Sequence, residues 1–493
     1  MKKIKLYFLG ALLSLKILAC KKLELYPHNA IELSQSFKTI ADASTWNNGL
    51  YVRFRDTHSA NYIYTQDVQA DQLNASIGFS NWNTGGPHRW GDVFSPGETN
   101  YYYQFYYSAI AYVNTMLKGY EAIVPSNPEE TEKMNKYKGD AFLARAYYYH
   151  QLILRYAKAY NPATAATDLG VPLILTYDIS ALPARANLKV CYDQILSDIN
   201  SAKKLLAATP GTNGANKFTI DAALALEARV RLYMQDYSEA YTVANLLIIG
   251  GKYPLYQTKA NYKSYWHDDQ KQEDIMQVFV SKTEPILPNN IYLGLNVSAG
   301  VYTPDFIPTQ TVLDSYENSD YRKKVFFEQK LVQIQGTKYP DIWLVNKYPG
   351  NPALFTSTST NFQHAPKVFR IAEMYLIAAE AAAVTNPTNA ITALNALRKA
   401  RGLNPLTNIV GSALIQEIRN ERTRELAFEG FRLWDLKRWG LGFNRGQAQN
   451  LNIINTGQNY NLINISANDP KFVWAIPPND VDINSNIVQN PGW

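Results

Sequence analysis

The 493-residue chain carries 48 Lys and Arg against 42 Asp and Glu, a net charge of +6, with 35 tyrosines and two cysteines. Lys2, Lys3, Lys5 and Lys16 fall in the first nineteen residues beside no acid, so the remainder stands at +2. That excludes the concentrated basic face needed for nucleic acid, and Cys20 and Cys191 alone exclude a cysteine-ligated metal site.

The first nineteen residues (1–19) read as a secretory signal, lysines followed by a mostly apolar run from Leu6 to Ala19. The run ends Ile17-Leu18-Ala19-Cys20, the pattern of a bacterial lipobox in which Cys20 is lipidated. A short transmembrane anchor is the alternative; Lys16 inside the run and its length, well under the ~20 residues of a span, disfavour it. Acyl chains on Cys20 would hold the protein to a membrane, with residues 20–35 as an extended tether.

Ser36 to Arg55 has Phe37, Ile40, Ala43, Trp46 and Leu50 near helical spacing. Tyr62 to Thr99 reads as loop, with Gly85-Gly86-Pro87 and Ser95-Pro96-Gly97 as breakers and Trp82 and Trp90 inside it. Helices are expected again over Tyr101–Tyr120 and Thr131–Tyr156, the second alternating small Ala141 and Ala144 with large Tyr148 and Leu152. Tyr192, Ile195, Ile199, Ala202 and Leu206 form another stripe. Thr219 is a candidate N-cap for a helix through Tyr233, turning into a partner with Tyr241, Ala244 and Leu247.

Tyr253 to Lys367 is rich in Pro, Asn and Tyr, with a short strand expected at Gln277-Val278-Phe279-Val280. Arg370 to Val384 and Thr388 to Arg401 then repeat the helix-pair design, stopped by Gly402. Small residues facing large ones, in antiparallel pairs of about 34 residues, are the habit of tetratricopeptide (TPR) repeats. The pairs are irregular and interrupted, so no pure solenoid is implied.

Glu417 to Gly440 reads EIRNERTRELAFEGFRLWDLKRWG. A helix starting near Ser412 carries Leu414, Ile415 and Ile418, and its stripe continues into Arg422, Glu425 and Glu429. Leu426, Phe428, Phe431 and Trp434 crowd these charges, which points to a buried ion-pair network of Arg419, Arg422, Arg432, Glu425, Glu429 and Asp435. A solvated face with i,i+4 pairs is the bland alternative.

The pattern E-R-x-x-E-L-x-F-E-G-x-R-x-x-D-L-x-R-W-G, Glu421 to Gly440, resembles the signature of the SusD/RagB family, as do Gly170-Val171-Pro172-Leu173 and the closing Gln489-Asn490-Pro491-Gly492-Trp493. The resemblance implies a mostly α, SusD-like fold of TPR-like helix pairs (about 36–61, 100–252 and 368–440). These support a loop-rich half with a few short strands (about 62–99 and 253–367) and an irregular C-terminal segment, 441–493. It also implies an outer-membrane, surface-facing lipoprotein that captures nutrient for a TonB-dependent SusC-like transporter. No surface-export signal follows Cys20, so that orientation rests on the resemblance.

The six histidines are scattered without H-E-x-x-H spacing, and no Walker A, dinucleotide or G-x-S-x-G motif is present. Neither an enzyme nor a cofactor or metal is therefore expected, and Glu425 and Glu429 beside arginines are poor general acids. Glycan recognition needs aromatic platforms and side-chain hydrogen bonds. The loop-borne candidates are Asn81, Trp82, Asn83, Trp90, Trp266, Tyr292, Tyr302 and Trp343. A peptide ligand in the same role, or a TPR-type scaffold that docks a protein, are the alternatives.

Overall fold

The structure, a computed structural model, describes residues 33–77, 85–178, 180–454 and 463–493. The expected signal segment, Cys20 and the expected tether through residue 32 lie outside the described residues.

Helix α1 (Ile40–Asp56) opens with a capping box: Thr39 Oγ1 accepts from the Asp42 amide at 3.2 Å, and the Thr39 amide donates to Asp42 Oδ2 at 2.8 Å. After α2 (Ala60–Gln69), α3 (Asn100–Gly119) and the 29-residue α4 (Pro128–Tyr156) pack together, and α1 lies on α4. Asn127 caps α4, with Pro128 in the first turn where its missing N–H costs nothing.

The next helices are α5 (Leu188–Leu205), α6 (Ile220–Tyr233) and α7 (Tyr237–Ile249), with α6 capped by Thr219 as expected from the sequence. Further on, α9 (Ile371–Thr385) follows α8 (Lys259–His267) and packs on α7, on α10 (Pro387–Ala400) and on α11 (Gly411–Glu425). The small–large logic holds here: Ala378, Ala379, Ala381 and Ala382 are all buried, so neighbouring helices approach closely. Short connections make consecutive helices antiparallel neighbours.

Two of these interfaces carry a buried charge strut. Arg145 on α4 grips Asp198 on α5 at 2.8 and 2.7 Å, and Arg229 on α6 grips Glu373 on α9 at 2.7 and 2.6 Å. Such bidentate pairs fix helix register as well as contributing energy.

The chain between α7 and α9, joined by residues 73–75 from before α3, builds small sheets. Strand β1 (Leu73–Ala75) and β2 (Asp274–Gln277) are followed by β3 (Leu295–Asn296), β4 (Val301–Tyr302) and β5 (Phe306–Pro308). Then come β6 (Phe327–Ile334), β7 (Thr337–Val345) and β8 (Lys367–Arg370). One sheet runs β3-β4-β6-β7, with β4–β6 parallel and the other pairings antiparallel. Strand β1 pairs with β5, and β2 with β8.

Three local expectations shift. Residues 60–69, read as the edge of a loop, form α2; its residues from Ile63 to Gln69 are almost all buried, so no polar face marks it as helical. The strand expected at residues 277–280 sits three residues earlier, because β8 pairs Arg370 with Asp274 and Lys367 with Gln277. The helix expected to run through Glu429 stops at Glu425, and a separate α12 (Arg432–Trp439) follows. Between them Phe428 (φ 62°) and Gly430 (φ 79°) turn the chain. A Cβ on Gly430 would stand 2.6 Å from Gln66 Nε2, so only glycine lets this turn close on α2, where its amide donates to Asp67 Oδ2 at 3.0 Å.

Among the described residues no helix is long and apolar enough to cross a membrane.

Candidate functional site

A buried charge network ties the end of α11 to segments distant in sequence. Glu425, fully buried at the end of α11, accepts from Arg370 Nη1 at 2.9 Å, from Arg401 Nε and Nη2 at 3.0 Å and from Arg322 Nη1 at 3.1 Å. Arg401 also grips Glu273 at 3.0 and 2.8 Å, and Arg322 binds Asp320 and Glu421. Glu429 takes Arg370 at 2.9 and 2.7 Å and Lys347 at 2.7 Å.

Burial alone would raise the Glu425 carboxyl, but Arg401 and Arg370 hold it well below the usual carboxylate range. Burial also pulls the Lys347 ammonium down to about 8, against the opposing pull of Glu429. A carboxylate clamped by three guanidinium groups can neither donate nor take a proton near neutrality. The network is structural.

Its membership corrects the sequence reading. Glu425 and Glu429 are paired, but with Arg322, Lys347, Arg370 and Arg401 rather than with arginines of their own stretch. Arg422 pairs with Asp435 at 2.8 Å, and Arg432 reaches away to Asp71 at 2.8 and 2.6 Å. Arg419 makes no ion pair among the described residues.

The aromatic candidates separate. Asn81, Trp82 and Asn83 lie outside the described residues. Trp90 is 1 % exposed and donates from Nε1 to the Gln69 carbonyl at 2.7 Å. Trp266 is buried under Lys347, 4.1 Å from its ring centre, and Tyr292 is buried beside Phe428. None of these three presents a ring face to solvent: Trp90 packs on Phe443 and Phe472, Trp266 lies under Lys347, and Tyr292 lies beside Phe428.

Tyr302 and Trp343 are half-buried, on different sides of the β3-β4-β6-β7 sheet. Tyr302 packs beside Val332, Ile342 and Leu344, whereas Trp343, alternating with Ile342 and Leu344 along β7, packs toward Phe327 and Val312.

Tyr302 borders an open cleft of about 410 Å³ between α8 and this sheet, together with His267, Glu328, Lys330, Asn346 and Phe355. Lys330 Nζ lies 5.2 Å from the Tyr302 ring centre and 2.7 Å from Glu328, while Asn346 Nδ2 donates to Glu328 at 2.7 Å. His267 Nε2 is 3.0 Å from the Asn346 carbonyl, and burial, then Lys263, lowers its pKa, so the ring is neutral at pH 7. Aromatic carbon beside fixed amide, carboxylate and ammonium groups suits a ligand with CH faces and hydroxyls. Sequence reasoning reached Tyr302 but missed Asn346 and Phe355. Only the Asn- and Pro-rich composition of 345–362 marked that loop.

Among the described residues no group of three or more His, Cys, Asp or Glu is arranged to hold a metal ion.

Known proteins share this architecture. Residues 231–493 match the model of the SusD family, and residues 23–232 match a family described as starch-binding, associating with outer membrane. Two SusD-like proteins of Formosa agariphila are similar, one 25 % identical over 89 % of this chain and 91 % of its own, the other 26 % identical over the full length of both. A SusD superfamily protein of Bacteroides thetaiotaomicron superposes with a TM-score of 0.76 at 23 % identity, covering 92 % of this chain and 100 % of its own. A laminarin-binding SusD-like protein superposes at 0.70 and 20 % identity, covering 93 % of this chain and 100 % of its own. Helix pairs carrying loop-lined clefts thus define a SusD-like fold. The chain belongs to the SusD family.

Proposed function

We propose that the protein is a lipid-anchored outer-membrane protein that captures an oligosaccharide at the cell surface and delivers it to a TonB-dependent SusC-like transporter. The open cleft of Tyr302, Phe355, Asn346, Glu328 and Lys330 carries this reading, because it joins aromatic faces to fixed hydrogen-bonding groups. The starch-binding description of the matching family and the laminarin-binding neighbour support sugar as the ligand class. The lipobox at Cys20 supports the anchor, and family membership supports the transporter. The binding descriptions of the matching family and of the laminarin-binding neighbour support binding rather than turnover.

Asn81, Trp82 and Asn83 join the proposed ligand surface.

Calorimetry of the folded protein against laminarin, starch and other polysaccharides tests the reading. One glycan is expected to bind, with Tyr302→Ala weakening it about tenfold or more and Trp82→Ala also weakening it. A folded protein that binds no glycan, or whose glycan binding ignores both changes, refutes the assignment.

A further inference from the structure

Arg419 is anomalous. The carboxylates around it are already taken: Glu380 is held by Arg438 at 2.5 and 2.7 Å and by Trp439 Nε1 at 2.9 Å, and Asp71 by Arg432. Glu417 and Glu421 are held by Arg424 at 2.6 and 2.7 Å. The Arg419 guanidinium lies 5.2 Å from the Trp439 ring centre and makes no hydrogen bond to any described residue, although its Nε is buried. Arg419 is partly exposed, so its Nη groups reach solvent while its buried Nε lacks both water and a partner, which is costly.

This side chain borders a cleft of about 360 Å³ between α11, α12 and the turn before β1, which shares no lining residue with the Tyr302 cleft. Arg424, Arg432, Asn420 and Gln72 line the same cleft. Gln72 is 2 % exposed, and its Oε1 is also without a partner among the described residues. The cleft thus offers a free cationic fork, an unused buried acceptor and further amide groups. A guanidinium fork matches the geometry of an oxyanion, and the acceptor suits a neighbouring hydroxyl.

We infer that the Arg419 cleft binds an oxyanion, a uronate carboxylate or a sulfate ester, carried by the saccharide the protein captures. The ligand is then an acidic glycan with hydroxyls flanking its charge. This inference rests on the glycan reading above.

Calorimetry with three oligosaccharides of equal length tests it: an oligogalacturonate, a sulfated galactan fragment and a neutral laminari-oligosaccharide. Wild-type protein, Arg419→Gln and Arg419→Lys are compared, with thermal melts verifying that each folds. At least one acidic probe is expected to bind wild type, with affinity falling as salt rises. Its affinity drops about tenfold or more in Arg419→Gln and less in Arg419→Lys, which keeps the charge and loses the fork. Which acidic probe binds tells carboxylate from sulfate.

If acidic probes bind but Arg419→Gln leaves their affinity unchanged, this inference fails and the glycan reading stands. If only the neutral probe binds, in a manner sensitive to Tyr302→Ala, the outcome is the same. If no saccharide binds, both fail.

Discussion

Replacing Glu425 with Gln removes one negative charge from a site where three guanidinium groups converge, each donor within 3.1 Å and each arginine no more than 2 % exposed. The side chain keeps its shape, but its new amide hydrogens face cations that can neither leave nor deprotonate. Stranding charge in such a place costs about 3–5 kcal/mol. With an unfolding entropy of about 2.1 cal/mol/K per residue, a chain of this length loses about 1 kcal/mol per degree, so Tm falls by about 3–5 °C.

Calorimetric melts of both proteins at pH 7 measure the difference. Because the folded carboxyl titrates below its ordinary range, its contribution is complete above the unfolded glutamate pKa of about 4.3 and is lost as pH falls through the folded value. The wild-type advantage therefore shrinks on acidification below about pH 4. Glycan affinity stays unchanged. A Tm shift under about 1 °C at pH 7 would refute the claim that this network is buried and mutually dependent.

Gly430→Ala places a methyl group against Gln66 and on a positive φ, and is expected to cost about 1–3 kcal/mol, read as a Tm lower by about 1–3 °C. Lys347→Met tests the depressed ammonium. A folded lysine pKa of about 8, below the unfolded value, means the unfolded chain binds more protons between the two, so wild-type stability rises with pH from about 8 to 10.4. Tm measured across that range should climb more steeply for wild type than for Lys347→Met; parallel curves would contradict the burial of this charge.

The parts of the fold legible in the sequence are those whose signal is local. Ala378 and Ala382 in α9 repeat at helical spacing toward their neighbours, and Thr219 announces the start of α6. Helix α2 escaped because burial all round erases amphipathic contrast. The break before α12 escaped because charge and aromatic spacing continue smoothly through Phe428, and only Gly430 interrupts them.

The ion pairs were half legible. Crowded apolar neighbours marked Glu425 and Glu429 as buried, but their cations, Arg322, Arg370 and Arg401, stand in other segments that no periodicity connects. Ring burial had the same cause. Trp266 and Tyr292 sit in loop-like sequence, yet Lys347 covers one and Phe428 the other only after distant segments meet.

The buried charge network also imposes an order on biosynthesis. Glu273, Asp320 and three of the arginines emerge from the ribosome before Glu421, Glu425 and Glu429, which complete their neutralisation. A nascent chain ending before residue 421 holds Arg322, Arg370 and Arg401 without these shared counter-charges, so closing its core would bury unmatched cations. N-terminal-first folding, the usual course for growing chains, is therefore penalised at this core until the chain enters about its last seventh.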